Sequence, residues 1–410
     1  MDESPLPSPL EGVRILAVEH MLALPYATQL LGLLGADVVK VEPLEGESGR
    51  VSRPLLGEPP HQLGAVFARS AAGKRSIAID LKNPRGRDLL LALVARFDVV
   101  AENLRAGVFD RLGFDFDTLV AANPRVILAT VSGYGHLGDS PYRHWPAFGP
   151  LVEGTAGLNM LGRASEEDPV PLGSYGALGD IIAGVFTALG IMTAMRQRDL
   201  SGQSQHVDTA MFDTAMTIMD AAPLIAARGF APSAAVGGGA GLTGTFRAKS
   251  GHFTLWVVRE HMFQRLAQCI GRTEWLADPA FTRREQWGAR LESDIRPAIE
   301  AWAADKDNYA AADELARSGV PAGLLQTAED LLSDEHVRRR QMLIEVSDQE
   351  TGEVWPVIGN PVKLAGRTEA THGRVPSIGE HTQAILSQEL GLSATEIASL
   401  SDEGVIASRP

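Results

Sequence analysis

The chain has 410 residues, too many for one average hydrophobic core, so two domains are expected. Hydrophobic residues make up 45% and charged residues 21%, the balance of a soluble globular protein, and a formal net charge of -14 excludes a general affinity for nucleic acid or an anionic membrane surface. A single cysteine, Cys269, excludes an internal disulfide framework and a cysteine-based zinc site; it fits a reducing compartment and reads as a small apolar filler in a helix around 261–270.

The N-terminal MDESPLPSPLEG is acidic and proline-rich, without the basic and apolar regions of a signal peptide. From residue 12 to about 131, short β-branched runs alternate with amphipathic stretches. Residues 13–18, 37–41, 76–80, 98–102 and 126–131 read as strands, and 23–34, 84–96 and 116–122 as helices. This alternation predicts an α/β fold with a parallel, doubly wound sheet whose ligands bind beyond the carboxyl ends of the strands.

Further on, GSYGALGDIIAG at 173–184 sets one carboxylate, Asp180, between a glycine-rich turn and an apolar helix from 181 to about 197. Free backbone N–H groups and the helix dipole favour an ionised, outward-pointing carboxylate there, a candidate nucleophile. The plainer alternative is that Asp180 only caps the helix. The apolar run 181–195 falls short of the ~18 residues of a membrane span, and a cytoplasmic location is expected. The segment SGQSQHVDTAMFD gives a turn, a short strand and a helix. A glycine-dense loop at 237–244 precedes a hairpin through 245–247 and 252–258 and helices near 261–270, 293–304 and 309–317, a second, smaller domain at about 237–325. Helices at 381–390 and 393–400 end the chain.

The first crossover, EHMLALP at 19–25, lacks the glycine triplet of a dinucleotide site, and neither a Walker-type phosphate loop nor a metal-ligand spacing occurs among the ten histidines. No metal is therefore expected. What remains is an ordered series: GADVVKVEP at 35–43, GKRSIAIDLKNPRG at 73–86, AENLRAG at 101–107, RLGF at 111–114 and SGYG at 132–135. Singly these are weak. Lys74 and Arg75 at a strand start read as solvated rather than ligand-bound, and Asn103 as a turn former.

In this order, and followed by GALGDIIAG, GQSQHVDTAMFD, GVPAGLLQTAEDLLSDEHVRRRQML at 319–343 and PSIGEHTQAIL at 376–386, the series resembles the family III CoA-transferases over nearly the whole chain. The resemblance implies a Rossmann-like large domain formed by 1–212 and 351–410, linkers at 213–236 and 326–350, an inserted small α+β domain at 237–325, and an interlocked homodimer. It implies that Asp180 is the nucleophile, passing through a mixed anhydride and an aspartyl-CoA thioester. CoA contacts fall on Met21, Leu22 and Ala23, on Ile79, Asp80, Leu81 and Lys82, and on Asn103, Leu104, Arg105 and Arg111. Lys82, Arg105 and Arg111 would supply the local positive charge that an acidic chain otherwise lacks. Gly237, Gly238 and Gly239 correspond to a mobile flap with oxyanion donors.

The implied partners are an acyl-CoA and a carboxylic acid, a dicarboxylate such as succinate being the first guess, with CoA thioesters as substrates and no permanently bound cofactor. Many relatives carry Asn at Gly73, Phe-Arg-Pro-Gly at 104–107 and an aromatic-Asp pair at Phe148-Gly149; the last departure lies near the acyl site. Tyr134, His144, Tyr175 and Arg247 carry no assigned role. Two rival readings share the fold: an α-methylacyl-CoA racemase, whose histidine would stand where this chain has Phe148, and a catalytically silent CoA-binding protein.

Overall fold

The β-branched runs build a wound sheet in the computed structural model, which describes residues 6–161, 176–229, 241–367 and 372–408. The first half of the chain supplies β1 (Arg14–Val18), α1 (Ala23–Leu33), β2 (Asp37–Glu42), α2 (Ala65–Ala71), β3 (Arg75–Ile79), α3 (Pro84–Val94), β4 (Val99–Glu102), α4 (Phe116–Ala122) and β5 (Ile127–Ser132). It continues through α5 (Gly149–Thr155), α6 (Leu178–Ser201), β6 (Gln205–Ala210) and α7 (Met211–Ile218). Then come β7 (Leu242–Arg247), β8 (His252–Val257), α8 (Glu260–Cys269), α9 (Arg296–Trp302), α10 (Asn308–Arg317) and β9 (Ala322–Leu325). The last are β10 (Leu343–Asp348), β11 (Val354–Ile358), β12 (His372–Val375), α11 (Thr382–Leu390), α12 (Ala394–Asp402) and β13 (Ile406–Ala407).

The chain divides into two compact units. Residues within 1–159, 170–218 and 338–410 form the larger, and those within 160–169 and 219–337 the smaller. The larger is organised by a seven-stranded sheet of order β13-β3-β2-β1-β4-β5-β6, parallel throughout except for the antiparallel edge strand β13. Period-2 alternation divides β1 between two cores: Leu16 and Val18 pack with α3, α4, α11 and α12, while Ile15 and Ala17 pack with α1 and α6. Both faces are covered, which is why these strands are continuously apolar. The strand order reverses between β1 and β4, and a reversal of this kind opens a crevice at the carboxyl ends of the two strands.

Local chemistry fixes the helix ends. Asn83 accepts from the Arg85 N–H ahead of Pro84 in α3, Asp115 accepts from the Thr118 N–H at the start of α4, and Gly202, at φ 74°, closes α6 in the left-handed conformation. A second sheet of order β11-β10-β12 packs Ile344, Val346, Val357 and Val375 against Phe67, Ala68 and Ala71 of α2. The smaller unit is an antiparallel sheet of order β9-β8-β7 around an aromatic core in which Phe263 stacks on Trp287 at 4.3 Å.

Two helices differ from their sequence outline. In place of one helix at 293–304, a π-turn over Leu291–Ile295 precedes α9, where Pro297 has no N–H to donate back. α6 starts at Leu178 and runs for 24 residues, long and apolar enough to cross a membrane by length and composition; its Ala183, Ala188, Ile191 and Ala194 lie in the core shared with α1.

Candidate active site

After β1 the chain turns through Glu19, His20 and Met21 into α1, which has no side-chain cap. Met21 sits at φ 59°, a left-handed conformation that a non-glycine residue adopts only when its surroundings hold it there. The restraints are visible. The Met21 N–H reaches Glu47 Oε2 at 3.3 Å, and the Asn103 side chain clasps His20 twice, accepting from its N–H at 2.8 Å and donating to its carbonyl at 2.9 Å. Asn103 thus joins the loop after β4 to the loop after β1, across the point where the strand order reverses.

Beneath these loops lies a buried ionic cluster. Lys74 donates to Glu19 Oε1 at 2.6 Å, to Thr28 Oγ1 at 2.7 Å and to the Pro25 carbonyl at 3.0 Å, and Lys40 lies 3.5 Å from Glu19 and 3.3 Å from Glu47. Lys74 is therefore not the solvated strand-start residue its sequence context implies: it is 5% exposed, and burial pushes its ammonium down to about 8 against the pull of Glu19. Arg75 is paired with Asp37 at 2.9 Å.

The crevice is a cleft of about 480 Å³. Met21, Leu22 and Ala23 line it from the first loop, Asn103, Leu104, Arg105 and Arg111 from the loop after β4, and Asp180 from the start of α6. The structure so brings together eight of the residues singled out in the sequence. Ile79, Asp80, Leu81 and Lys82 are not among the lining residues. They follow β3, two strands from β1 on the same carboxyl edge; Ile79 is in the core, and Asp80 Oδ1 accepts from the Lys82 N–H at 2.9 Å. Gly237, Gly238, Gly239 and Tyr175 lie outside the described residues. His144 lines the cleft, Tyr134 is buried in an aromatic group with Tyr142, Trp145 and Phe212, and Arg247 pairs with Glu300 in the smaller unit.

Asp180 occupies the third position of α6. The cap position belongs to Ala177 and makes no side-chain cap bond, so the plain capping role does not describe Asp180. The carboxyl group is also not held in its ionised form by the helix start. Burial first, and then the nearby charge of Glu153, push its pKa up to about 6, against the hydrogen bond to its own N–H. At neutral pH it is mostly ionised, yet more basic than an ordinary aspartate. Gly149, at the start of α5, lets this happen sterically: a Cβ there would overlap Asp180 Oδ2.

One lining residue, Arg143, was not singled out by sequence reading, whereas Phe148 was, as a departure near the acyl site. Arg143 joins Arg105 and Arg111 in the cleft, and none of these three guanidinium groups forms an ion pair among the described residues. Trp145 and Phe148 are exposed on its wall. Glu102, at the end of β4, is wholly buried; burial pushes it up to about 8, against the Leu104 N–H that it accepts at 2.7 Å. Glu102 lies within the AENLRAG motif but was given no role there, and Glu153 carries no motif signal; the surroundings of both depend on tertiary neighbours.

Comparisons with known proteins find relatives along nearly the whole chain. The sequence pattern described as CoA-transferase family III matches residues 10–382. The chain is 32% identical to a formyl-CoA:oxalate CoA-transferase of Bradyrhizobium sp. (strain ORS 278), over 97% of each protein, and 32% identical to a succinyl-CoA–D-citramalate CoA-transferase of Chloroflexus aurantiacus, over 98% of each. The crystal structure of a CaiB/BaiF family protein from Brucella suis matches with a TM-score of 0.80 at 28% identity, covering 94% of this chain and 100% of that one.

Proposed function

The chain belongs to CoA-transferase family III and is a CoA-transferase, and from that premise we propose that it moves CoA between two carboxylic acids through covalent intermediates on Asp180. The observation that carries this reading is a half-buried, unusually basic carboxylate, the one acidic side chain among the described residues that line the cleft.

An Asp180 oxygen attacks the thioester carbonyl of the donor, the C–S bond breaks, and CoA leaves as its thiolate, giving a mixed anhydride. The thiolate attacks the aspartyl carbonyl, releasing the donor acid as a carboxylate and leaving an aspartyl-CoA thioester. The acceptor carboxylate then displaces CoA thiolate to form a second anhydride. Attack of that thiolate on the acceptor's acyl carbon yields the new acyl-CoA and frees Asp180. No water, ATP or redox partner enters the balance. A carboxylate is a weak nucleophile, so its raised basicity and its placement are the means of catalysis, and good orientation supplies roughly 7 to 11 kcal/mol.

Arg105 and Arg111, which line the cleft, would pair with CoA phosphates, and Ile79 to Lys82 would meet the nucleotide end along the same sheet edge. Donor and acceptor are acids of the kind named for the relatives, formate and oxalate or succinate and citramalate. We expect a cytoplasmic, interlocked homodimer with CoA thioesters as substrates and no resident cofactor. The outward Val185, Phe186 and Leu189 of α6 offer apolar surface for a second copy.

The test is peptide mass spectrometry after incubation with formyl-, succinyl- and aryl-CoA in turn, with hydroxylamine present. The expected result is a hydroxamate on Asp180 with at least one thioester, and loss of transfer by ~1,000-fold or more in Asp180→Ala. Near-normal transfer by that variant would refute the mechanism. Deuterium wash-in at an α-carbon without an acceptor acid would point to racemisation instead.

A further inference from the structure

Helix α5 contributes a second carboxyl group to this site. Gly149 and Glu153 are four residues apart on α5, hence on one face of it, and both meet the start of α6. Gly149 abuts Asp180 Oδ2. Glu153 Oε1 accepts the N–H of Gly179, the residue before Asp180, at 2.8 Å, and a Cβ on Gly179 would stand only 3.1 Å from that oxygen. The Glu153 side chain is 0% exposed, and its Oε2 has no hydrogen-bond partner. Burying a carboxyl oxygen without a donor is costly, more so when the group is ionised. A carboxyl group kept under those conditions, one residue from the reactive aspartate in its hydrogen bonding, needs a reason.

We propose that Glu153 is a positioning residue of the transfer reaction: it holds the first turn of α6 through the Gly179 N–H and sets a second carboxyl group beside Asp180. The inference rests on the reading of Asp180 as the nucleophile. Titratable groups on the other elements packed against α6 are Tyr26 of α1, His206 and Asp208 of β6 and Asp213 of α7, with the arginines and histidines of the cleft beyond them. Among all these, the charge of Glu153 is the one that bears on Asp180, adding to the effect of burial.

Two functions are separable by substitution. Glu153→Gln keeps an acceptor for Gly179 and removes the charge, Glu153→Leu removes both, and Glu153→Asp keeps the charge on a shorter arm. The readout is the single-turnover rate of Asp180 acylation, trapped with hydroxylamine, from pH 4.5 to 8. In the wild type the rate falls below about pH 6, as Asp180 takes up its proton. In Glu153→Gln the acid limb moves down by about 0.5 to 1 pH unit and the plateau drops several-fold, with KM for the thioester unchanged. Glu153→Asp restores the limb toward its wild-type position, and Glu153→Leu loses rate further because the turn carrying Asp180 is no longer held.

An unchanged acid limb in Glu153→Gln, with Asp180 still trapped, would overturn the proposal and leave the nucleophile standing. A wild-type enzyme that transfers CoA without any Asp180 adduct would overturn the nucleophile instead. If Glu153→Gln does not fold, the Glu153→Asp limb decides: a limb displaced as far as about 1 pH unit despite the retained charge would sink the proposal.

Discussion

Two groups of buried charge lie near the carboxyl edge of one sheet, and they are compensated in opposite ways. Under β1 and β2 each carboxylate has a cation: Lys74 and Lys40 serve Glu19, Lys40 lies 3.3 Å from Glu47, and Arg50 forks onto both oxygens of Glu42 at 2.7 Å, with Ser76 as a further donor. Against the upward push of burial, these partners hold Glu19 and Glu42 below the usual carboxylate range. Under β4 and α5 no lysine or arginine pairs with the carboxyl groups; Glu102 Oε1 has only the ring of His136 at 3.6 Å, whose charged form burial disfavours. Glu102 Oε1 and Glu153 Oε2 are buried without hydrogen bonds, and Glu102 and Asp180 are both pushed up. The first group ties strands together; the second keeps protons and basicity available beside the cleft. A closed ionic network marks scaffold here, and an open one marks chemistry.

The contrast can be broken most severely at Lys74. Lys74→Met leaves Glu19 with Lys40 as its one cation beside the Thr28 hydroxyl, and loss of one partner from a buried pair costs about 3 to 5 kcal/mol. Urea denaturation at pH 7 should show that loss; less than about 1 kcal/mol would mean that Lys40 suffices and the network is redundant. The open group responds with the opposite sign. Glu102 has a folded pKa of about 8, above the ordinary 4.5, so its contribution to stability is complete below about pH 4.5 and is lost as pH rises toward 8. Glu102→Gln removes that loss. Its stability relative to wild type should grow between pH 5 and 8, reaching about 1 to 3 kcal/mol at pH 7, and a pH-independent difference would show that Glu102 does not hold its proton in the folded state.

Much of the scaffold was legible in the chain because its signals are local. The strand-helix alternation of residues 13–131 is written in β-branched runs, and α4 has the bounds its pattern implies. The sheet β11-β10-β12 was missed, since β12 joins β10 in parallel from more than twenty residues away and its residues touch polar turns. Lys74 was misread for a related reason: Gly73 and Arg75 make its surroundings look solvated, while its partners Glu19 and Thr28 lie 55 and 46 residues back. In the site, Asp180 and the loop residues were findable through motifs. Gly149 was visible only as half of the Phe148-Gly149 departure, and Glu153 was not found, because a buried glutamate and a helical glycine in GPLVEGT gain meaning only when α6 packs against them.

The finest test of the comparison is Gly149→Ala, which adds a single methyl group beside Asp180. Alanine is the better helix former by about 0.5 to 1 kcal/mol, and the backbone at 149 needs no left-handed angle, so local propensity favours the change. The new Cβ overlaps Asp180 Oδ2 and stands 3.4 Å from its Cγ, so the carboxylate must move. Overpacking of this kind costs about 1 to 3 kcal/mol, and the two contributions leave a net loss of stability of about 2 kcal/mol or less. If Asp180 is the nucleophile as proposed, activity should respond more than stability: displacing a nucleophile by about 1 Å costs up to 100-fold in kcat, while KM for the thioester stays within about threefold. Full activity in Gly149→Ala would mean that Asp180 reacts from a position other than the one pressed against α5. That result would remove the steric half of the contrast between the closed and the open carboxylates.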